Sequence, residues 1–210
     1  MIGLEELGLL KGCIYETIVS TYGADREPHA APMGISILDG RRIVLRPYKT
    51  TRTYGNLVRY RAAVVNITSD PLLFYNSVFG GDMRYRVSHV VDAPALVEAD
   101  GWLELELEGE RDLSSERSEL TLYVVKVELA DKRPVRLYCR AVHAVIESII
   151  HMTRIPIFLG TERNDEAIKL VEKVLDYRRL VERVAPDTIY SGLMAEMESR
   201  ISVWLREYEG

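Results

Sequence analysis

The spacing of apolar residues changes once along this chain, near Lys132 to Pro134, and that change constrains the fold more than any other feature. Before it, short β-branched runs lie between turn signals. After it, apolar residues recur at helical spacing. Strands first and helices later point to an α+β architecture rather than to alternating βαβ units. The expected division is 1–134 as a β domain and 135–210 as a helical segment packed on it. No internal repeat or low-complexity segment interrupts either part.

The first part predicts strands at Tyr15–Tyr22, Pro32–Leu38, Arg42–Tyr48 and Ala63–Thr68, with Asp39-Gly40 as a hairpin turn. A short helix is expected from Thr50 or Thr51 to near Arg59. A second follows Asp70-Pro71, because Asp caps a helix and Pro suits its first position. Further strands are expected at Tyr85–Val91, Ala95–Ala99, Trp102–Glu108 and Glu119–Leu129. Leu103, Leu105 and Leu107 alternate with Glu104, Glu106 and Glu108, which predicts a strand with one wet face. The later strand runs Leu120, Leu122, Val124 and then shifts to Val125, Val127, Leu129. A bulge or burial of both faces would explain the shift. The second part predicts helices at about Cys139–Thr153, Glu162–Val184 and Asp187–Tyr208. Pro186 divides the last two. The final helix carries a stripe of Ile189, Leu193, Met197, Ile201 and Leu205, one face for packing.

Composition removes several function classes. The chain has 210 residues, 47% hydrophobic and 28% charged, and a net charge of −5. It is long enough to bury a core without staples, and its acidity argues against a nucleic-acid partner. Cys13 and Cys139 form no metal-binding array or disulfide scaffold. The acidic N-terminal stretch does not read as a signal peptide, and no apolar run approaches the ~20 residues of a membrane span. The expectation is a cytoplasmic protein with no membrane partner.

Against that acidic background, residues 41–61 read RRIVLRPYKTTRTYGNLVRYR, with seven Lys or Arg and no acid. The chain carries −5 and this window +7, so the rest carries −12. Such a cationic island suggests an anionic partner. Thr50, Thr51 and Thr53 stand at the expected start of a helix, where free N–H groups and the helix dipole suit a phosphate. Arg46 and Arg52 would add charge-assisted bonds and Asn56 an amide donor. The plainer alternative is threonines that cap and arginines that stay in water. No P-loop is present.

Other candidates have plain alternatives too. Ala30 and Ala31 would let a flat ring approach the backbone beside Pro32, or the segment is an edge strand. Glu147, His151 and Arg154 fall at i, i+4 and i+7 of a helix, facing a cofactor, a partner subunit or only water through a salt-bridged surface. His29, His89 and His143 lack metal-ligand spacing. Cys139 at a helix start could have a lowered thiol pKa, although a buried inert thiol is the simpler state. Ser20, Ser36 and Ser88 lack a nucleophile elbow. Among Tyr22, Tyr48, Tyr54, Tyr75 and Tyr85, Tyr54 lies nearest the threonines and is the candidate to stack on a ring.

Four ordered blocks, YETIVSTYGADREPHAAPMGI, VLRPYKTTRTYGNL, VVNITSDPLLF and CRAVHAVIESIIHMTRI, cover Tyr15 to Ile155. They resemble an archaeal domain-of-unknown-function family of FMN-binding split-barrel proteins, related to the flavin-reductase-like and pyridoxamine-phosphate-oxidase-like folds. The resemblance implies a six-stranded antiparallel split β-barrel followed by a helical segment, a homodimer, and FMN at or near the subunit interface. It assigns Arg46, Thr51, Thr53 and Asn56 to the phosphate side, and Ala31, Pro32 and Met33 to the strand along the flavin ring. His29 and Cys139 stand where the family pattern expects Asn. The implied function is a flavoprotein, an oxidoreductase of the flavin-reductase type with a nicotinamide nucleotide or small redox partner. A non-catalytic FMN-binding or electron-carrier module is the alternative, and a cofactor-free structural dimer a third.

Overall fold

The computed structural model describes residues 4–7, 9–130 and 137–209. The change of spacing at Lys132–Pro134, and with it the 134/135 domain limit, falls outside the described residues. Contacts divide the chain between Tyr138 and Cys139, with Gly12–Ile14 counted among the helices.

The first unit is a closed barrel of six strands in the order β1-β2-β3-β8-β7-β4, with β4 back on β1. The strands are β1 (Ile14–Tyr22), β2 (Pro28–Asp39), β3 (Arg42–Leu45), β4 (Ala62–Ile67), β7 (Gly101–Asp112) and β8 (Ser118–Leu129). Two short strands, β5 (Tyr85–Val87) and β6 (Pro94–Leu96), pair separately. The expected hairpin is present, with Ile37 opposite Ile43. Ile35, Ile43, Leu45, Leu103, Leu105, Leu120 and Leu122 are fully buried. Each such side chain stabilises the fold by roughly 1.5–3 kcal/mol relative to exposure. A second cluster gathers Ile18, Val64, Leu73, Leu96 and Trp102.

Two helices interrupt the strands. α1 (Arg52–Tyr60) starts at Thr51, whose hydroxyl accepts from the Tyr54 amide at 3.3 Å. It stops at Arg61 in the left-handed region, which turns the chain directly into β4. α2 (Pro71–Phe79) starts at Asp70, whose carboxylate accepts from the Leu72 amide at 2.8 Å.

Several expectations need correction. β2 begins at Pro28, four residues before the predicted start. β3 ends at Leu45 because Pro47 cannot donate to a ladder, and Tyr48 forms only an isolated bridge with Arg117. The predicted strand Tyr85–Val91 ends at Val87, and Ala95–Ala99 is replaced by Pro94–Leu96. The alternating strand is wet at Glu106 and Glu108, as expected, but not at Glu104. Glu104 is 1% exposed, and its carboxylate accepts from the amides of His89, Val90 and Val91 at 2.9, 2.6 and 3.0 Å. The 88–91 segment wraps around this acid instead of continuing as a strand. The phase shift in β8 is a bulge: Glu104 pairs with Lys126 and Leu105 with Val124, leaving Val125 over.

The second unit contains α3 (Arg140–Met152), the short α4 (Ile155–Phe158), α5 (Asn164–Val184) and α6 (Ile189–Glu209). Three helices were expected; Pro156 and the turn at Thr153–Arg154 set α4 apart. In α6 the buried residues are Met194, Met197 and Ile201, whereas Ile189 and Leu193 of the predicted stripe are exposed. The segment Arg140–Phe158 is long and apolar enough, by composition, to cross a membrane. That amends the expectation of no such run. Its Ala141, Ala144, Val145, Ser148 and Met152 are buried, whereas Ile146, Ile149, Ile150 and Ile157 are exposed. Cys13 and Cys139 are buried and form no disulfide.

Candidate functional site

The candidate site is built where α1 meets β1 and β2. Thr51 caps α1 and donates its hydroxyl to the Tyr48 carbonyl at 2.7 Å. Its role is thus the expected cap, and it also lies at the positive end of the helix dipole. Thr50 precedes it in an exposed turn. Thr53 and Asn56 face inward. Thr53 is buried and shares a 3.1 Å hydrogen bond with His29 Nε2, and the Asn56 amide donates to Thr21 Oγ1 at 2.9 Å. These two join α1 to the first two strands rather than standing open to water. Burial, and then the charge of Arg52, lower the pKa of His29 and so favour its neutral ring.

The cationic window is less free than its sequence suggests. β7 and β8 bring carboxylates across to it. Arg42 pairs with Glu108 at 2.6 Å, Arg46 with Glu119 at 3.0 Å and Lys49 with Asp112 at 2.6 Å. Arg46, expected at the phosphate, therefore has a carboxylate partner already. Tyr54, expected beside a ring, donates its hydroxyl to Glu110 at 2.7 Å. That bond, with some burial, raises the phenol's pKa.

Arg52 differs from Arg42, Arg46 and Lys49 in being left without an ion pair among the described residues, as are Arg41, Arg59 and Arg61 of the same window. It stands on the first turn of α1. Its guanidinium lies over the backbone of Gly23, where an added Cβ would come within 2.8 Å of Nη2. Glycine is what allows this approach. The sequence reading named Arg52 but favoured Arg46. Only the pairing of Arg46 with Glu119, 73 residues away, distinguishes them, and no local pattern reveals it.

The ring-side candidates lie further along β2. Ala31, Pro32 and Met33 are each half-buried. Thr17 Oγ1 donates to the Met33 carbonyl at 2.8 Å. Pro32 lines a cavity of about 370 Å³ together with Glu16, Ser69, Pro71, Phe74 and Tyr138. That size suits a small-molecule pocket. His29 and Pro32 are three residues apart, roughly 10 Å at the usual rise of a strand. Residues three apart in a strand point to opposite faces, so β2 presents His29 toward Thr53 of α1 and, further along, Pro32 to the cavity. The residues fit a ligand with an anion at one end and a flat apolar body at the other.

Glu147, His151 and Arg154 belong to the helical unit. His151 is buried, while Glu147 and Arg154 are exposed, and no ion pair joins the three among the described residues. Among the described residues no group of His, Cys, Asp and Glu is arranged to hold a metal.

Residues 15–148 match a family described as protein of unknown function (DUF447), N-terminal domain. The chain belongs to the DUF447 family. The four sequence blocks resembled a domain-of-unknown-function family, and the match establishes that membership. Among solved structures, this DUF447 chain is similar to the FMN-bound protein MM1853 of Methanosarcina mazei. The two are 25% identical over 93% of this chain and 98% of that one, with a TM-score of 0.53. The 2-nitrobenzoate 2-nitroreductase NbaA of Pseudomonas fluorescens is 19% identical, over 62% of this chain and 74% of that one, with a TM-score of 0.50. Nitrilotriacetate monooxygenase component B of Bacillus cereus is 16% identical, over 60% and 75%, with a TM-score of 0.52. The last two share the fold with the DUF447 chain, and their coverage is that of a barrel rather than of the whole chain.

Proposed function

We propose that this DUF447 protein binds FMN along β2 and works as an oxidoreductase of the flavin-reductase type. The observation that carries the reading is the likeness to an FMN-bound protein over nearly the full length of both chains. The donor set supports it. The α1 N-terminus, Arg52 and the Thr51 cap suit a phosphate, with Arg46, Thr50, Thr53 and Asn56 around them. Ala31, Pro32 and Met33 would lie along the ring. When bound, FMN supplies the hydride-transfer chemistry. The chain's part is to hold the phosphate, keep the ring against β2 and shield one side of it with Phe74 and Pro71.

We further propose a homodimer. α2 exposes Leu72, Tyr75 and Phe79, and the loop beyond β5 exposes Val90. A second copy is the simplest cover for such a surface. The proposed setting is the cytoplasm, in keeping with two cysteines outside any disulfide. Sedimentation at micromolar concentration should give about twice the 23.9 kDa chain mass. The catalytic reading is tested by adding NADH or NADPH anaerobically to the FMN-loaded protein. Bleaching of the visible flavin band at a useful rate supports turnover. A stably bound flavin that neither nucleotide bleaches leaves the non-catalytic or electron-carrier reading. A preparation that takes up no FMN removes both.

A further inference from the structure

The helical unit carries a second cavity, of about 470 Å³, formed by the Arg154 turn, α4 and the first half of α5. Arg154, Arg163, Lys169 and Lys173 line it, with Glu166 as its one acid and Phe158 as an aromatic wall. Glu166 is already committed: Arg163 holds it through bonds of 2.9 and 2.7 Å. The same guanidinium lies 3.6 Å over the Phe158 ring, which fixes the wall. Arg154, Lys169 and Lys173 make no ion pair among the described residues. Elsewhere in this unit Arg178 pairs with Glu198, Arg179 with Asp176 and Arg200 with Glu196. Lys169 and Lys173 are also four apart on α5, an arrangement that repels. The cavity thus sets four cations against one acid, Glu166, which Arg163 holds and whose pKa Arg163 and then Lys169 lower.

A buried neighbour senses the same field. His151 is 8% exposed, and its Nδ1 has no hydrogen-bond partner. Its ring stacks on Tyr177 of α5 at 6.1 Å. Burial lowers its pKa first, Lys173 and Arg154 lower it further, and Glu147 opposes them.

We propose that this cavity binds a small polyvalent anion of the phosphate class, either free or as an ester, at a site separate from the barrel. Lys169, Lys173 and Arg154 supply the charge, as converging cations do for phosphates. Phe158 offers the organic part of an ester an apolar wall. The site rests on the helical unit alone and does not depend on the flavin reading.

The test is calorimetric titration of the full chain in excess FMN at low ionic strength, with pyrophosphate and separately with AMP. Wild type should bind one pyrophosphate per chain, and K169Q/K173Q should lose roughly tenfold or more of the affinity. K169R/K173R, which keeps the charge, should retain binding and so controls for damage to the fold. AMP binding tighter than pyrophosphate indicates the ester; pyrophosphate binding tighter indicates the free anion. Proton NMR of His151 gives a second readout. A bound anion offsets Lys173 and Arg154, so the His151 pKa should rise on adding pyrophosphate. Absence of binding, equal binding by wild type and K169Q/K173Q, or an unmoved His151 titration would each overturn the proposal.

Discussion

Two cationic regions of this protein look alike in sequence and differ in space. The window at residues 41–61 carries seven basic residues in a row of strand, turn and helix. The cluster from Arg154 to Lys173 carries four, spread over two turns and one helix. In the barrel, antiparallel neighbours place Glu108, Asp112 and Glu119 beside Arg42, Lys49 and Arg46. Arg52 on the α1 first turn is left out of those pairs, with Arg41, Arg59 and Arg61. In the helical unit, neighbours four apart are set by the helix itself, and four cations stand against one acid, Glu166. A basic run in a sheet protein is therefore no measure of free charge, because the partner strand is unknown until the register is. A basic cluster read at helical spacing is closer to its spatial charge.

If acids in the barrel act as structure, the largest effect should come from one of them rather than from a cation. Glu104→Ala leaves three amide donors without their acceptor, each worth ~1–3 kcal/mol when left unsatisfied. We expect a loss of at least ~3 kcal/mol in unfolding free energy, near the cost of breaking a buried charged pair. Urea unfolding of barrel tryptophan fluorescence measures it. A loss below ~1 kcal/mol would mean the 88–91 segment opens freely to water. The pH dependence has a definite sign. Burial alone would raise the Glu104 pKa, but the His89, Val91 and Val90 amides outweigh it and the net pKa is lowered. The stabilisation is therefore complete above the unfolded carboxylate pKa, ~4.3. It is lost as pH falls through the lower folded value. Glu104→Gln should flatten that acid limb.

The next effect concerns ligand affinity and separates Arg52 from Arg46. A charge-assisted contact is worth ~1.5–3 kcal/mol, so Arg52→Ala should weaken FMN binding roughly 10- to 150-fold. Riboflavin, which lacks the phosphate, should bind unchanged. Arg46→Ala should do less, because Arg46 must first release Glu119, and Glu119→Gln should tighten FMN by freeing it. Fluorescence titration of both ligands against all three variants decides. A larger loss in Arg46→Ala than in Arg52→Ala would show that the Arg46–Glu119 pair opens when the phosphate arrives.

Much of this fold was legible because its signals are local. Thr51 and Asp70 announce their helices as caps, Asp39-Gly40 its hairpin, and the change of phase after Val124 its bulge. What was hidden depends on residues far apart. Glu104 looks solvent-facing by alternation, and only the 88–91 segment folding over it makes it buried. Thr53 and Asn56 were read as open donors, yet they bond His29 and Thr21 on strands more than twenty residues away. Arg46 and Arg52 are equivalent as letters, and Glu119 alone sets them apart. The stripe on α6 went wrong at Ile189 and Leu193 for a similar reason: periodicity names an apolar face but not how far along it the neighbouring helix reaches.

A smaller effect is expected from His151. Burial, Lys173 and Arg154 favour its neutral form in the folded state. A histidine with a depressed folded pKa stabilises the protein above its unfolded pKa, ~6.5. That stability is lost as pH falls through the lower folded value. Thermal midpoints measured between pH 7 and 5 should fall less steeply in His151→Gln than in wild type. Lys173→Gln should also reduce the slope, since it removes one source of the depression. An unchanged slope in both variants would mean that the cluster's field does not reach the ring.

The smallest expected effect reverses the usual direction of a charge deletion. Lys169 and Lys173 repel at i, i+4, by an amount typically ~0.2–0.5 kcal/mol. Without an anion present, K169Q/K173Q should therefore raise the unfolding midpoint slightly, by about 1 °C for a chain of this size. Lys49→Gln in the barrel should lower it, because Lys49 loses Asp112. Raising the salt concentration should shrink both differences, since exposed charges are screened within about 10 Å at 0.1 M. Opposite signs for these lysines would confirm that one region is internally neutralised and the other is not. If K169Q/K173Q lowered the midpoint in phosphate-free buffer, the lysines would have acid partners in solution, and the helical cavity would lose its surplus of positive charge.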